Sequence, residues 1–353
     1  EIAAFLIDRL LIDGKAEEAI DVAWDQEQKH PNNLFVMEKQ IVATLAASKP
    51  DTARSILKRM ADAAKFDTDW LVNIAQYQSR AGYAEDSAYT LSKVLQASPN
   101  HVPALLNLAL LEINLGRLDS AYARSEALIA LNPNDALGYQ VRGDVHLRRG
   151  ETGQAVEDYR IAVMRAPESE SAVLALHLAQ LQSADLAGAE QTLETWLAKH
   201  PESTPAELAR AEYYLRTQNY EKARTAYAAL TKRQPNNPSL LNNYAGVLDK
   251  LKDPTALQVA RDAHAQRPTD PLINDTLGWI LVRAGQAEEG LRYLREAQAR
   301  ASTQREIQFH LAAALEILGR RDEARRELEE ALATNQPFDG RDEAVALLAK
   351  IRG

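Results

Sequence analysis

Residues 136–169 read ALGYQVRGDVHLRRGETGQAVEDYRIAVMRAPES, and this stretch decides the fold. Gly150 stands near its middle and Pro167 near its end. Glycine can adopt the positive φ with which many helices end, whereas proline lacks a backbone N–H and clashes with the preceding helical turn. Ala155 follows the glycine by five residues and is small enough to let two helices approach closely. The stretch therefore predicts a helix, a tight turn and a second helix.

The same marks recur along the chain at a nearly constant interval. Successive prolines lie 68, 34, 34, 34, 34 and 33 residues apart, and the first interval is twice the others: Pro31, Pro99, Pro133, Pro167, Pro201, Pro235 and Pro268. Two further series keep this spacing: Gly14, Gly82, Gly116, Gly150, Gly285 and Gly319, and Ala19, Ala53, Ala121, Ala155, Ala189, Ala223 and Ala324. Between the marks, apolar residues such as Leu105, Leu108 and Leu111 recur every three or four positions, which is helical periodicity. The chain is therefore predicted to repeat one helix–turn–helix unit of about 34 residues.

Composition narrows the class of protein further. The chain has 353 residues, 46% of them hydrophobic, so it can bury a large core and is not a disordered chain. Its 50 Asp and Glu residues outnumber its 41 Lys and Arg residues, and the formal net charge is −9, so no nucleic-acid partner is expected. The absence of cysteine excludes disulfides and thiolate metal sites. No apolar run is long enough to span a membrane, which predicts no membrane insertion by this stretch of chain.

The residue types within residues 136–169 also resemble a known family. The marks are Tyr139, Gly143, Gly150, Ala155, Tyr159, Ala162 and Pro167. Their types and spacing resemble the tetratricopeptide repeat (TPR). The resemblance implies an all-α fold, a right-handed TPR-type α-solenoid (superhelix) of about ten helix–turn–helix repeats. The repeats are expected near residues 1–33, 34–67, 68–101, 102–135, 136–169, 170–203, 204–237, 238–270, 271–304 and 305–338, and residues 339–353 are expected to form a C-terminal capping helix.

Some repeats depart from this pattern. Ser48 stands near the position where the second repeat should have its glycine, and Ala184 and Gln218 stand at that position in the sixth and seventh repeats. Gly290 replaces the alanine of the ninth repeat. These departures leave the local geometry open, but not the architecture.

No stretch of the sequence carries a catalytic signature. The 7 histidines include no pair four residues apart and no H-E-x-x-H motif, and there is no P-loop, dinucleotide-binding glycine motif or nucleophile elbow. Paired carboxylates such as Glu17-Glu18 are typical of solvated helix faces. The sequence therefore predicts a non-enzymatic protein without a cofactor or metal, and the resemblance to the TPR implies that it binds other proteins or peptides.

In the family that the chain resembles, the first helices of successive repeats line a concave groove. The resemblance places on it the residues two positions before each turn: Arg80, Asn114, Arg148, Gln182, Arg216, Lys250, Arg283 and Ile317. Most of these are basic in a chain that is acidic overall, which favours an anionic ligand such as acidic side chains, a terminal carboxylate or an acidic polysaccharide. Basic residues at a helix end also complement the helix dipole, so a purely structural role stays open.

Aromatic residues near the C-terminal end form a second candidate site. The resemblance maps Trp279 of the ninth repeat, and Phe309 with His310 of the tenth, onto facing groove positions. The residues that map close to them are Asn242, Asn243, Asp275 and Arg283. Rings flanked by amides and an arginine can stack on sugars or grip a peptide. The alternative is that Trp279 and Phe309 pack between neighbouring repeats.

A third candidate is an apolar stripe in the fourth repeat. Leu106, Leu110 and Ile113 follow one another at helical spacing on the groove side. If exposed, they would suit an amphipathic partner helix. The alternative is that they belong to the core.

A finer resemblance rests on the last repeats. Residues 274–282 read NDTLGWILV, residues 290–297 read GLRYLREA, and residues 338–344 read FDGRDEA before the closing helix. Together they resemble the C-terminal half of the large TPR lipoproteins of bacterial PEP-CTERM/exosortase systems, which accompany exopolysaccharide gene clusters. The resemblance implies a scaffold in exopolysaccharide or PEP-CTERM protein export or assembly. It also implies a periplasmic protein that, at full length, is lipid-anchored to the outer membrane.

Two other functions stay open, namely a cytoplasmic TPR adaptor for acidic or amphipathic-helical peptides and the regulatory TPR arm of a larger enzyme. The chain opens at Glu1 within a helical pattern, without an initiator methionine, so we expect it to be part of a longer protein. An upstream lipobox cysteine, a bare methionine or a catalytic domain would separate the three functions.

Overall fold

The computed structural model describes residues 2–353, and these residues form 21 α-helices with no β-strand among them. The helices are α1 (Ile2–Ile12), α2 (Ala16–Lys29), α3 (Leu34–Ala46), α4 (Pro50–Ala64), α5 (Thr68–Arg80), α6 (Ala84–Ala97), α7 (Val102–Asn114), α8 (Leu118–Leu131), α9 (Leu137–Arg149), α10 (Thr152–Arg165), α11 (Glu170–Gln182), α12 (Leu186–Lys199), α13 (Thr204–Arg216), α14 (Tyr220–Arg233), α15 (Pro238–Lys250), α16 (Ala256–Gln266), α17 (Pro271–Arg283), α18 (Ala287–Arg300), α19 (Arg305–Ile317), α20 (Arg321–Ala331) and α21 (Arg341–Arg352). Each odd-numbered helix from α1 to α9 and from α13 to α19 pairs with the even-numbered helix that follows it, and α21 packs against α19 and α20. In the sixth repeat, His177 Nδ1 of α11 lies 2.9 Å from the Ala189 carbonyl oxygen of α12. The all-α, helix-pair architecture expected from the sequence is therefore confirmed.

Polar side chains begin many of the odd-numbered helices, two residues after a proline. These N-caps, which accept hydrogen bonds from backbone N–H groups of the first turn, are Asn33, Ser169, Ser203, Asn237 and Asp270. A cap of this kind satisfies N–H groups that have no partner within the helix. The closing proline and the polar residue after it thus end one helix pair and start the next.

The turn inside each helix pair keeps the same geometry where glycine is missing. Gly150 has a φ of 77°, while Ala184 and Gln218 adopt φ values of 60° and 57°. After Ala184, the N–H of Asp185 donates to the carbonyl oxygen of Gln180 at 2.9 Å, the bond that closes the other turns. The departures at these positions therefore do not alter the turn, although a residue with a Cβ is strained there.

Small residues let the two helices of a pair approach closely. The residues of the alanine series are fully buried: Ala19, Ala53, Ala121, Ala155, Ala189, Ala223 and Ala324. Gly143 of α9 lies directly on Tyr159 of α10, and a Cβ on Gly143 would meet the ring carbon Cε1 at 2.9 Å. The regular spacing of small residues thus sets the distance between the helices.

The chain divides between Thr192 and Leu193 into two compact parts, here called the N-terminal module and the C-terminal module. The largest core of the N-terminal module runs from Met37 to Val145. In the C-terminal module one core lies among α15 to α18 and another among α17 to α21. Within residues 2–353, no helix combines the length and the apolar character needed to cross a membrane.

Candidate interaction surfaces

Six of the predicted groove residues lie at the C-terminal ends of odd-numbered helices, and all six are exposed. These turn-adjacent residues are Arg80, Asn114, Arg148, Arg216, Lys250 and Arg283. Their position follows from the repeat, because each precedes the left-handed turn residue by two. The five basic members also lie where a cation complements the helix dipole.

The turn-adjacent residues differ in whether their charge is already paired. Arg283 donates to Asp249 at 2.7 Å, and the Lys250 ammonium lies 3.4 Å from the Asp339 carboxylate. Within residues 2–353, Arg148 and Arg216 form no ion pair, and the guanidinium of Arg80 lies 6.0 Å from the centre of the Tyr77 ring. The C-terminal module thus neutralises two of its three turn-adjacent cations internally and leaves Arg216 unpaired. In the N-terminal module, Arg80 and Arg148 are both open to an anion.

Burial shifts the titration of acidic groups beside these cations. Burial raises the pKa of Asp144, although a hydrogen bond from Tyr159 and the charge of Arg148 oppose the shift. Burial likewise raises the pKa of Asp249, against the opposing charge of Arg283. The cations therefore help to keep half-buried carboxylates ionised.

The predicted aromatic residues do come together. The Trp279 ring stacks on the His310 ring, with 4.3 Å between centroids and 13° between planes, and the Phe309 centroid lies 5.9 Å from that of Trp279. His310 Nδ1 lies 2.9 Å from a carboxylate oxygen of Asp275, and both side chains are buried. Phe309 is buried as well, so Trp279 is the most exposed ring of the three. Whether this cluster binds a ligand stays a prediction.

The predicted amides lie on α15, and both are half-buried. The Asn243 Nδ2 atom lies 3.5 Å from the Tyr227 hydroxyl. The buried Oδ1 of Asn242 has no hydrogen-bond partner among residues 2–353. Nearby on the same helix, Gly246 leaves open space where a Cβ would stand. These features leave room on the α15 face but assign no ligand to it.

The apolar stripe of the fourth repeat is partly exposed. Ile113 is buried, Leu106 is half-buried, and Leu110 is 40% exposed. Leu178 is 47% exposed. It lies eight residues after the start of α11, just as Leu110 lies eight residues after the start of α7. One leucine in each of two first helices of the N-terminal module is therefore available for an apolar contact.

Sequence reasoning missed a buried ionic group in the fifth repeat. Arg142 of α9 donates to Asp158 of α10 at 2.6 Å and also contacts Glu126 of α8. Asp158 is almost fully buried, and its carboxylate is the main cause that raises the pKa of Arg142. The arginine takes a position at which most repeats have an apolar residue, which was the available signal. The group joins three helices and is structural.

A second missed feature is the non-helical segment between α20 and α21, here called the strap (residues 332–340). Its residue Asp339 reaches Lys250, and Gly340 lies against Phe309. The available signal was Pro337, which stands outside the regular proline series. The strap places additional chain beside two of the predicted groove residues.

The helix pairs, the left-handed turns and the exposed helix ends define the class: an α-helical repeat protein that presents side chains along its helix faces. Among residues 2–353, no group of three or more His, Cys, Asp or Glu residues is arranged to hold a metal ion. Models of the tetratricopeptide repeat family match residues 46–254 and 276–340. The chain belongs to the tetratricopeptide repeat family. Its repeats make it a scaffold for binding other proteins or peptides.

Individual relatives share this repeat over part of their length. The chain is 28% identical over 160 residues to mouse tetratricopeptide repeat protein 21A, covering 44% of this chain and 12% of that protein. It is 27% identical over 201 residues to the TPR repeat-containing protein PA4667 of Pseudomonas aeruginosa, covering 53% of this chain and 33% of that protein. Among solved structures, yeast Tom70 resembles the chain with a TM-score of 0.54 at 12% identity, over 99% of this chain and 88% of Tom70. The chain thus spans a third or less of the length of these two curated relatives, and the likeness to Tom70 concerns the fold.

Proposed function

We propose that the chain is a non-enzymatic TPR scaffold that binds anionic segments of partner proteins through its turn-adjacent residues. The exposure of Arg80 and Arg148, without an ion-pair partner among residues 2–353, carries this proposal. In a chain with a net charge of −9, unpaired cations at the C-terminal ends of α5 and α9 attract carboxylates that the rest of the surface repels. Arginine can also hold a carboxylate through two parallel hydrogen bonds.

The setting that we propose is bacterial exopolysaccharide or PEP-CTERM protein export or assembly in the periplasm, with a lipid anchor in the full-length protein. Its support is the resemblance of residues 274–282 and 338–344 to the lipoproteins of those systems. In that setting an acidic polysaccharide is a second ligand class for the same arginines, because its carboxylates offer them the same chemistry.

The test measures binding of two probes, a poly-glutamate peptide and a polyuronate, at several salt concentrations. The double variant Arg80→Glu/Arg148→Glu should bind at least ~10-fold more weakly than the wild type, and the difference should shrink as salt screens the charges. The matched control is Lys58→Glu/Arg165→Glu, which makes the same charge change at exposed residues of two second helices, α4 and α10. Equal, salt-insensitive binding by wild type and double variant would overturn the proposal, and the stronger probe would identify the ligand class.

A second candidate function is a cytoplasmic adaptor for amphipathic helices. The exposure of Leu110 and Leu178 favours it, because apolar side chains in a groove suit the apolar face of a helix. The substitution Leu110→Asp should abolish binding of such a helix while leaving poly-glutamate binding unchanged. Helix binding that survives the substitution would remove this candidate.

A further inference from the structure

The strap differs from the other connections that lead into a first helix. Four residues separate α16 from α17 and α18 from α19, whereas nine separate the end of α20 at Ala331 from the start of α21 at Arg341. Pro337 lies inside the strap, where it fixes φ and removes a backbone donor. The strap is therefore longer than the stacking of α21 on α20 requires.

The strap lies on the exposed face of the first helices of the C-terminal module. The Asp339 carboxylate is 3.4 Å from the ammonium of Lys250, which precedes it by 89 residues at the end of α15. Gly340 has a φ of 84° and lies so close to α19 that a Cβ there would be 2.6 Å from a ring carbon of Phe309. Phe338 packs, half-buried, against the apolar cluster that Trp279 also contacts. An aromatic side chain, a carboxylate and a close backbone contact thus hold the strap in place.

The chemistry of this face explains which side chains it accepts. Arg283 is paired with Asp249, so Lys250 is the cation that remains for a further carboxylate. The apolar cluster that contains Phe309, and against which Trp279 packs, receives the aromatic side chain of Phe338. An aromatic residue directly followed by an acidic one, as in Phe338-Asp339, matches both the apolar surface and the cation.

The contacts of the strap are those of a displaceable segment. The Lys250 and Asp339 side chains are 44% and 71% exposed, and an ion pair so exposed contributes little to stability. Residues 333–337 of the strap are exposed, whereas Leu332 and Phe338 pack against the apolar cluster. Tethering at both ends adds to these contacts, because it gives the strap a high effective concentration at the site.

We infer that the face of α15, α17 and α19 binds extended peptide segments of partner proteins in which an aromatic residue is directly followed by an acidic one, and that the strap occupies this site in the free protein. The inference rests on the proposed function. It adds the class of peptide that binds and a segment of the same chain that competes with this peptide. A partner segment must displace the strap before it can bind. The apparent affinity for that segment is therefore lower than the intrinsic affinity, in proportion to the fraction of molecules whose site is open. Removal of the strap contacts therefore strengthens binding.

The test measures fluorescence anisotropy with a labelled peptide of the strap sequence TNQPFDG and with a control peptide in which alanine and lysine replace the Phe and Asp. The double variant Phe338→Ala/Asp339→Ala should bind the strap peptide at least ~10-fold more tightly than the wild type. Adding Lys250→Glu to this variant should remove the gain, whereas adding Lys232→Glu, an exposed residue of α14, should not. The control peptide should bind neither protein.

Folding is controlled with a milder change, because Phe338 contributes to the packing around α21. The single variant Asp339→Ala removes only the exposed ion pair and should bind the strap peptide about 3-fold more tightly than the wild type. The inference would be overturned if wild type and both strap variants bound the strap peptide equally well. It would also be overturned if Lys250→Glu left the affinity for this peptide unchanged. A wild-type dimer that the strap variants convert to monomers would also overturn it, since the occupant would then be a second copy.

These outcomes are separable from the proposed function. The proposal is tested through Arg80 and Arg148 of the N-terminal module, and the inference through Lys250 of the C-terminal module. If only the strap peptide fails to bind, the inference falls and the proposed scaffold stands. If neither module binds any probe, both fall.

Discussion

Gly278 and Gly290 face each other where α17 crosses α18, and a Cβ on Gly290 would lie 2.6 Å from the Gly278 carbonyl oxygen. A Cβ on Gly278 would in turn lie 2.9 Å from the Gly290 carbonyl oxygen. The two backbones therefore approach more closely than the alanine found at the position of Gly290 in other repeats would allow. Both glycines lie in the ninth repeat, which supplies Trp279 to the aromatic cluster.

The substitution Gly290→Ala should lower the free energy of unfolding by about 1–3 kcal/mol, because the added methyl group must push the two helices apart. The matched control is Gly246→Ala in α15, where a Cβ meets no atom within 4 Å. That change should raise stability by about 0.5–1 kcal/mol, since alanine loses less backbone entropy in a helix. Urea unfolding of both variants measures the effect, and shifts of the same sign would contradict it.

The repeat was predictable from sequence because each of its marks has a local physical cause. Helix period, a proline that ends a helix and a glycine that takes a positive φ act within a few residues of themselves. The exposure of Arg80 and Arg148 follows from the same register. The contact of Asp339 with Lys250 joins residues 89 positions apart, so no local rule could reveal it.

The candidate sites were less predictable because burial depends on neighbouring repeats. Trp279, Phe309 and His310 are brought together as the register indicates, but the burial of Phe309 depends on the strap that lies against it. The sequence already shows that the ninth repeat has Gly290 in place of the alanine of the series. Only the structure shows that Gly278 stands opposite.

The turn at Ala184 provides a test of backbone strain. The left-handed conformation is unfavourable by about 1–2 kcal/mol for a residue with a Cβ. Glycine avoids this strain but loses more backbone entropy on folding, so Ala184→Gly should raise the free energy of unfolding by up to about 1 kcal/mol. Gly150→Ala, at the corresponding turn, should lower stability by about 1 kcal/mol. Thermal and urea unfolding measure both variants. A destabilised Ala184→Gly variant would show that the alanine side chain contributes contacts that outweigh the strain.

The buried ionic group of the fifth repeat predicts an asymmetric response to mutation. Asp158→Ala should cost about 3 kcal/mol, because it leaves the largely buried guanidinium of Arg142 without its main partner. Glu157→Ala removes one member of an exposed ion pair with Arg160 and should change stability by less than about 1 kcal/mol. Urea unfolding of the two neighbouring variants measures the difference. Equal effects would show that Arg142 is solvated well enough to lose Asp158 without penalty.

Glu306 of α19 is half-buried, lies close enough to Asp339 of the strap for their charges to interact, and is the acidic group from which we expect a pH effect on stability. Burial raises its pKa, and the nearby carboxylates of Asp275 and Asp339 raise it further. The charges of His310 and Lys250 act in the opposite direction. The folded state therefore holds a proton on Glu306 at pH values at which the unfolded chain has lost it.

The substitution Glu306→Gln should stabilise the protein at pH 7, and the gain should diminish as the pH falls toward about 4, the ordinary range of a glutamate. The sign follows from linkage: where the folded state binds more protons than the unfolded state, stability falls as pH rises from the unfolded pKa through the folded pKa. Glutamine cannot ionise, so it avoids this loss. Urea unfolding between pH 4 and pH 8 measures the effect, with Glu288→Gln, an exposed residue of α18, as the control for removing one negative charge. A difference between wild type and Glu306→Gln that stays constant over this range would contradict the raised pKa of Glu306.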